Sequence, residues 1–236
     1  MNKLPKVLVG GLLSDYHEYC TEEFIENIKK LTYSNMDLLF IDNSKDDRFF
    51  NSIKDKIPVV KGKYFPSIYD RLIHNRNILR EKALEGGYDY FFNVDQDIVL
   101  PRNAIEVLVG HNKNIITGLY FNPLKRGDEI KMSPTMWVAF SGNKERMVAV
   151  RDDVALGNHL LQITACGSGC LLIHRSVLEK IKFRYDLSKG KGVDDVFFCK
   201  DAIEAGYDIY ADTAVKCRHM IRGREWTWDQ LMKGTV

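Results

Sequence analysis

The stretch that most restricts how this chain can fold is Tyr88-Asp89-Tyr90-Phe91-Phe92-Asn93-Val94-Asp95-Gln96-Asp97-Ile98-Val99-Leu100-Pro101. Its centre, residues 90–94, is aromatic and apolar apart from Asn93. A short run of this kind, bounded by Gly86-Gly87 before and Pro101 after, predicts a central parallel strand covered on both faces. Asp95 and Asp97 follow at its C-terminal end, the edge where open α/β sheets bind ligands. With one residue between them, both carboxylates can share one site in a turn. Such a pair of like charges needs a cation, a proton or strong donors beside it. A divalent cation, Mg²⁺ or Mn²⁺, prefers oxygen ligands and can keep positions open for phosphate oxygens. The plainer alternative makes both carboxylates caps of a helix that starts near Pro101.

The chain before this segment alternates strand and helix. Strands are expected at residues 6–13, 37–41 and 59–60. Helices are expected at residues 22–31 (Thr21 as N-cap), 49–57 and 68–85, the last ended by Gly86-Gly87. A further helix near residues 102–109 and a strand at 115–121 complete a parallel sheet with helices on both faces. From Asn122 the pattern changes. Residues 132–140 and 147–150 read as strands of a hairpin or inserted flap, and the segment 125–133 is polar. Strands at 160–165 and 170–173 flank Gly167-Ser168-Gly169. Helices at 176–181 and 194–205 and short strands at 207–211 and 215–219 follow. The tail holds Trp226 and Trp228, which either stack on a sugar or pack onto the core. No repeat or linker divides the 236 residues, so a single domain in two halves is expected, about 1–121 and 122–236.

A net charge of +2 does not suggest a nucleic-acid binder. No apolar run is long enough to span a bilayer, and the apolar residues 7–13 lack the cleavage site of a signal peptide. The five cysteines, an odd number lying mostly in apolar segments, point to reduced thiols and a cytoplasmic setting. A zinc site built from Cys166, Cys170, Cys217 and His219 would match no standard spacing, so buried structural cysteines are the simpler reading.

Three features strengthen a functional reading of Asp95 and Asp97. Asp42 also follows a predicted parallel strand, although Asp42-Asn43-Ser44 alone reads as a turn. Asp194-Asp195 opens a helix, where one acid suffices as a cap and the second is left for chemistry. His219 ends the last core strand, where a histidine is a metal-ligand candidate. Lys189 and Lys191 read as a solvated basic loop.

In this order the motifs resemble a family-2-type glycosyltransferase of the GT-A fold. The resemblance runs over residues 6–220. It is carried by Val9 to Asp15, Phe40-Ile41-Asp42-Asn43-Ser44, Arg76-Asn77, Asn93-Val94-Asp95-Gln96-Asp97, the segment 167–175, Asp194-Asp195 followed by Ala205-Gly206-Tyr207, and His219. It implies a Rossmann-type, mostly parallel sheet flanked by helices, with a small antiparallel β region in the second half. It also implies transfer of a sugar from a UDP- or GDP-sugar to a carbohydrate or other hydroxyl acceptor, with a divalent metal, Mn²⁺ or Mg²⁺. Gly10, Asp15, Asp42, Arg76 and Asp95 would contact the donor, Asp42 at the base and Asp95 near the ribose or sugar. Asp97 would ligate the metal, with His219 as a second ligand or a diphosphate contact. Asp195 would be the general base of an inverting reaction. Because the family usually has Glu-Asp at this point, Asp194 remains a second candidate for the base.

The chemistry suits these residue types. Charge building on the leaving diphosphate is neutralised by a metal, and the acceptor hydroxyl needs a base within hydrogen-bond reach. A retaining mechanism and a catalytically silent sugar-nucleotide or carbohydrate-binding module are the alternatives. A nucleotidyltransferase would carry a basic Gly-rich loop after the first strand, whereas Gly10 to Asp15 is apolar and acidic. Acceptor recognition falls to the chain's own loops, residues 123–134 among them.

Overall fold

The computed structural model describes residues 4–140, 143–186, 188 and 194–233; Lys189 and Lys191 lie outside them. Strand-helix alternation builds the first half: β1 (Val7–Leu13), a 3₁₀ turn (Asp15–Cys20), α1 (Thr21–Lys29), β2 (Met36–Asp42), α2 (Asp47–Ile53), β3 (Val59–Lys61), α3 (Ile68–Glu85) and β4 (Tyr90–Val94). There follow β5 (Ile98–Val99), α4 (Ala104–Gly110), β6 (Ile115–Leu119), β7 (Phe121–Arg126), β8 (Glu129–Pro134), β9 (Met136–Phe140), β10 (Asn143–Ala149) and α5 (Asp152–Ala155). The chain continues through β11 (Leu160–Ile163), β12 (Ala165–Cys166), β13 (Cys170–His174), α6 (Arg175–Lys180), α7 (Asp194–Glu204), β14 (Ile209–Lys216), β15 (Arg218–His219) and α8 (Trp228–Met232).

The main sheet has the order β11-β14-β6-β13-β4-β1-β2-β3. Only β13 and β11 run against the other six strands. Side-chain alternation explains the continuous apolar strands. Val7, Val9, Phe92 and Val94 join one core with Phe24 of α1, Phe49 of α2 and Leu108 of α4. Leu8, Phe91, Leu171 and Ile173 join the other with Leu79 of α3, Val177 of α6 and Phe198 of α7. A strand buried on both faces has no polar alternation to show. Phe91 and Phe92 are each fully buried, on opposite faces, so truncating either to Ala costs ~3–5 kcal/mol.

The expected antiparallel region is present as a β7–β8 hairpin and a three-stranded sheet, β10-β9-β12. The single strand expected at 132–140 is instead two, because Thr135 turns to bond the Tyr120 carbonyl through both its amide (3.1 Å) and its hydroxyl (2.9 Å). Asp95 and Asp97 do not cap a helix at Pro101. β5 comes next, and α4 starts only at Ala104 behind Asn103. Thr21 is not an N-cap either: it lies inside α1, and its hydroxyl accepts from Gln96 Nε2 at 2.7 Å.

The tryptophans of the tail pack onto the core. Trp226 is buried with its indole N–H on the His219 carbonyl (2.7 Å), and Trp228 sits edge-on to Phe121 and Trp226. All five cysteines are buried and free. They do not form a set with His219: the Cys199 thiol donates to the Cys166 carbonyl (3.8 Å) and the Cys217 thiol to the Val215 carbonyl (3.8 Å). Among the described residues no helix is long and apolar enough to cross a membrane.

Candidate functional site

The C-terminal ends of β1 and β4 open onto a cleft of about 530 Å³. Its floor is a charge cluster centred on Arg76, which is 6% exposed in the middle of α3. The Nη1 of Arg76 donates to Asp194 at the start of α7, and Nη2 donates to Asp95 at 3.5 Å. The neighbouring side chain, Asn77, clamps the Phe183 backbone in both directions (2.9 and 3.0 Å), and Arg80 Nε holds the Ile181 carbonyl (2.8 Å). The Arg-Asn pair therefore ties α3 to the segment that leads towards α7. Arg76 itself holds carboxylates in place.

With Asp194 tied to Arg76, Asp195 is the half-buried acid beside it, within reach of the charges of Arg76 and Asp95. It accepts from the Val196 amide at 2.7 Å. Burial, then the charge of Asp194, push its pKa up to about 6, with Arg76 opposing. Burial also raises Asp95; Arg76 opposes this, while Asp97 and Asp194 add to it. Asp95 keeps 36% side-chain exposure on the cleft floor and is steadied by Asn93 Nδ2 at 3.3 Å. Asn93 also donates to the Ser168 carbonyl (2.6 Å). The Gly167-Ser168-Gly169 turn wraps the Tyr120 hydroxyl, which accepts from the Gly169 amide at 3.1 Å. A Cβ at Gly167 would stand 2.1 Å from that hydroxyl, so only glycine allows the approach. Burial, with Asp95 and Asp195, holds the Tyr120 hydroxyl well above its ordinary pKa.

Asp97 and His219 meet because β15 pairs with β5, placing His219 opposite Ile98, and because the Met220 amide bonds the Asp97 carbonyl at 2.7 Å. His219 Nε2 lies 2.9 Å from Asp97 Oδ2, and Nδ1 lies 3.2 Å from the Phe121 carbonyl. A carbonyl only accepts, so Nδ1 carries the hydrogen and Nε2 faces the carboxylate. Burial alone would lower the His219 pKa, but the bond and charge of Asp97 outweigh it and the pKa is raised.

Two residues that sequence reasoning did not single out join this corner. Gln96, the middle of Asp95-Gln96-Asp97, is 2% exposed. Its Oε1 accepts from the Ser14 amide (2.7 Å), and its Nε2 donates to the His17 carbonyl (3.2 Å) and the Thr21 hydroxyl (2.7 Å). It staples the loop after β4 to the loop after β1. His17 places Nδ1 3.5 Å from Asp97 Oδ2. Their only sequence signal is a polar residue in a segment that otherwise reads as strand end or loop.

The remaining expected donor contacts are Asp15, Asp42 and Gly10. Asp15 is exposed and lines the cleft, with its amide on Ser44 Oγ at 2.9 Å. Asp42 is 0% exposed and does not face the cleft. Its carboxylate is taken by the Ser44 amide (2.9 Å), the Ser44 hydroxyl (2.6 Å) and Lys61 Nζ (2.7 Å), so it orders the loop in which Asn43, Ser44 and Lys45 line the cleft. Gly10 is buried inside β1, where a Cβ would stand 2.4 Å from the Leu39 carbonyl; strand packing accounts for it. On the far wall, Arg71 lies 4.7 Å over the Tyr64 ring, and both line the cleft. A separate hollow of about 380 Å³ between β8 and α5 holds none of these residues.

The donor set suits a divalent cation. Asp97 offers a carboxylate and His219 an imidazole whose orientation is fixed by the Phe121 carbonyl, the outer partner that metal-bound histidines usually have. Buried and without a hydrogen-bond partner, His17 Nδ1 points into the same corner, 3.5 Å from Asp97 Oδ2. Among the described residues no three His, Cys, Asp or Glu side chains already stand as a set able to hold an ion.

No protein-family model matches the chain, and no curated protein matches its sequence. Solved structures do match. GalNAc-T7 with UDP, GalNAc and Mn²⁺ superimposes with a TM-score of 0.61 at 11% identity, over 96% of this chain and 46% of that one. The mannosyltransferase PcManGT from Pyrobaculum calidifontis with GDP-Man and Mn²⁺ gives 0.56 at 15% identity, over 95% and 59%. S. aureus TarS 1-349 with UDP-GlcNAc gives 0.55 at 13% identity, over 93% and 60%. The chain thus spans about half to three-fifths of the length of these proteins. The likeness does not single out family 2. What it fixes, together with the mostly parallel sheet and its antiparallel additions, is that this chain has the GT-A fold.

Proposed function

We propose that the chain is a divalent-metal-dependent glycosyltransferase that moves a sugar from a UDP- or GDP-sugar to an acceptor hydroxyl, with inversion. The observation that carries this is that Asp95, on the cleft floor, acts through its charge both on a carboxylate raised to about 6, Asp195, and on the His219 imidazole that pairs with Asp97. Asp195 is the general base. An acid of this pKa is ionised at neutral pH yet basic enough to take a proton as the acceptor hydroxyl attacks the anomeric carbon. Asp194 is not the base, because its charge is held by Arg76. Arg76 positions Asp194 and Asp95, and Asp95 receives the ribose or sugar hydroxyls of the donor.

Asp97 and His219 would hold the cation, which would supply positive charge to stabilise the departing diphosphate. Arg71 and Lys45, both on the cleft wall, receive the nucleotide's phosphates from the other side. Asp42 acts through Ser44 and Lys61, shaping the loop against which the base rests.

The test is a thermal-shift screen of UDP- and GDP-sugars, with and without Mn²⁺, on wild type and Asp97→Ala, coupled to assay of nucleoside diphosphate release. A ligand at a hundred times its Kd stabilises the native state by ~2.7 kcal/mol. A Mn²⁺-dependent shift with one nucleotide class, lost in Asp97→Ala and accompanied by release, supports the assignment and identifies the base. An equal shift in the variant removes Asp97 from the metal site. A shift without release in the presence of acceptors makes the chain a silent binder.

A further inference from the structure

We propose that His17 is a third protein ligand of the divalent cation, so that the site is two imidazoles and one carboxylate, His17, His219 and Asp97. The inference rests on the metal-dependent reading above and extends it to a residue on a different loop.

Four observations carry it. First, His17 Nδ1 is buried and has no hydrogen-bond partner, an arrangement that is costly unless something else fills the place. Second, the atom is aimed at the site: it lies 3.5 Å from Asp97 Oδ2, the same oxygen that His219 Nε2 reaches at 2.9 Å. Neighbouring ligand atoms around an octahedral ion with bonds of ~2.1 Å stand about 3 Å apart, and the two separations bracket that value. Third, the ring and its backbone are held. The His17 carbonyl accepts from Cys20 Sγ (3.1 Å), the Thr21 hydroxyl (3.3 Å) and Gln96 Nε2 (3.2 Å). Tyr16 packs edge-on to the imidazole at 4.9 Å and Tyr19 lies tilted to it at 5.9 Å. Fourth, His17 lines the cleft, so a ligand there meets substrate.

Both nitrogens now converge on Asp97 Oδ2 and not on a point between the three side chains. The terminal torsion of an aspartate is soft, and a modest turn of the carboxylate makes room among them. An ion held by these three groups would supply positive charge to the donor's diphosphate. Two nitrogen donors also shift the site's preference from Mg²⁺ towards Mn²⁺ and Co²⁺, because imidazole suits transition metals and Mg²⁺ favours oxygen.

The test is direct metal binding, with no turnover involved. Isothermal titration with MnCl₂ and MgCl₂, alone and with UDP or GDP, compares wild type, His17→Ala, His17→Gln and Asp97→Ala. Electron spin-echo modulation of the wild-type Mn²⁺ complex counts bound imidazole nitrogens and requires no variant to fold. The expected results are two imidazole nitrogens, tighter binding of Mn²⁺ than Mg²⁺, and a loss of Mn²⁺ affinity of at least about tenfold in both His17 variants. Their metal-free melting points should stay close to wild type. A single coupled imidazole, or Mn²⁺ binding that needs Asp97 and not His17, overturns this inference alone. Wild type that binds no Mn²⁺, with or without nucleotide, overturns the metal-dependent reading as well.

Discussion

Replacing Asp195 by Asn should abolish transfer and at the same time make the protein more stable, with the gain confined to pH values above about 5. In the fold, burial and the charge of Asp194 push the Asp195 carboxyl up to about 6 from 3.8. Each unit corresponds to ~1.4 kcal/mol, so holding the charged form costs ~3 kcal/mol once it is fully ionised. The group is only half-buried, and water lowers that figure to ~1–3 kcal/mol. The folded pKa lies above the unfolded one. Between about pH 4 and 6 the folded state therefore keeps a proton that the unfolded chain has released, and wild-type stability falls as pH rises through that window.

Asparagine does not titrate, and its Oδ1 still accepts from the Val196 amide. Variant and wild type should match near pH 4 and diverge to ~1–3 kcal/mol by pH 7.5. For a chain of this size the melting point then rises by ~2–4 °C per kcal/mol. Urea and thermal melts at pH 4.5, 6.0 and 7.5 measure the gap, and donor turnover measures the loss of the base, ~10²–10⁴-fold. A gap that is the same at every pH, or a variant less stable than wild type at pH 7.5, would show that Asp195 is not held at an electrostatic cost.

Two further outcomes are expected. At saturating Mn²⁺, kcat/KM should fall about tenfold per pH unit below about 6 as Asp195 takes up its proton; a profile flat down to pH 5 would remove it as the base. Gln96→Leu should cost ~2–4 kcal/mol in denaturant melts, from three hydrogen bonds lost across the β1 and β4 loops; a loss under ~1 kcal/mol would mean that other contacts hold the loops.

What could be read from the sequence was what local chemistry decides. The expected bounds of α3, residues 68–85, match the helix at both ends, because Ser67 caps one and Gly86-Gly87 closes the other. β4 was legible because a short apolar run covered on both faces reads the same in sequence as in space. What stayed hidden depends on distant partners. Whether Asp194 or Asp195 is free is decided by Arg76, 118 residues before Asp194. Asp42 looks available at a strand end until Lys61 and Ser44 close on it. Gln96 occupies the position that a motif treats as arbitrary, yet its bonds reach back some 80 residues to Ser14 and His17. A polar residue acquires such a role only when the fold brings its partners, and no periodicity records that.

On the proposed function, the charge balance around Arg76 would make a bound cation part of donor recognition. Asp95 and Asp194 share one guanidinium, that of Arg76; Asp97 pairs with imidazoles, and Asp195 adds a fourth carboxylate above about pH 6. A nucleotide diphosphate adds roughly two negative charges, and each like-charge pair at about 6 Å costs ~3 kcal/mol at an effective dielectric constant of 20. Protonated His219 offers one positive charge beside Asp97, but that proton occupies Nε2, the nitrogen a cation needs. Proton and cation therefore compete at His219. Lowering the pH weakens metal binding and silences Asp195 in overlapping ranges. Only at saturating Mn²⁺ does the acid limb of the rate profile report Asp195 alone; at limiting Mn²⁺ the limb should steepen and move to higher pH. A limb whose slope and midpoint ignore the Mn²⁺ concentration would separate His219 from the metal, and the cleft would then have to balance the diphosphate through Arg71 and Lys45.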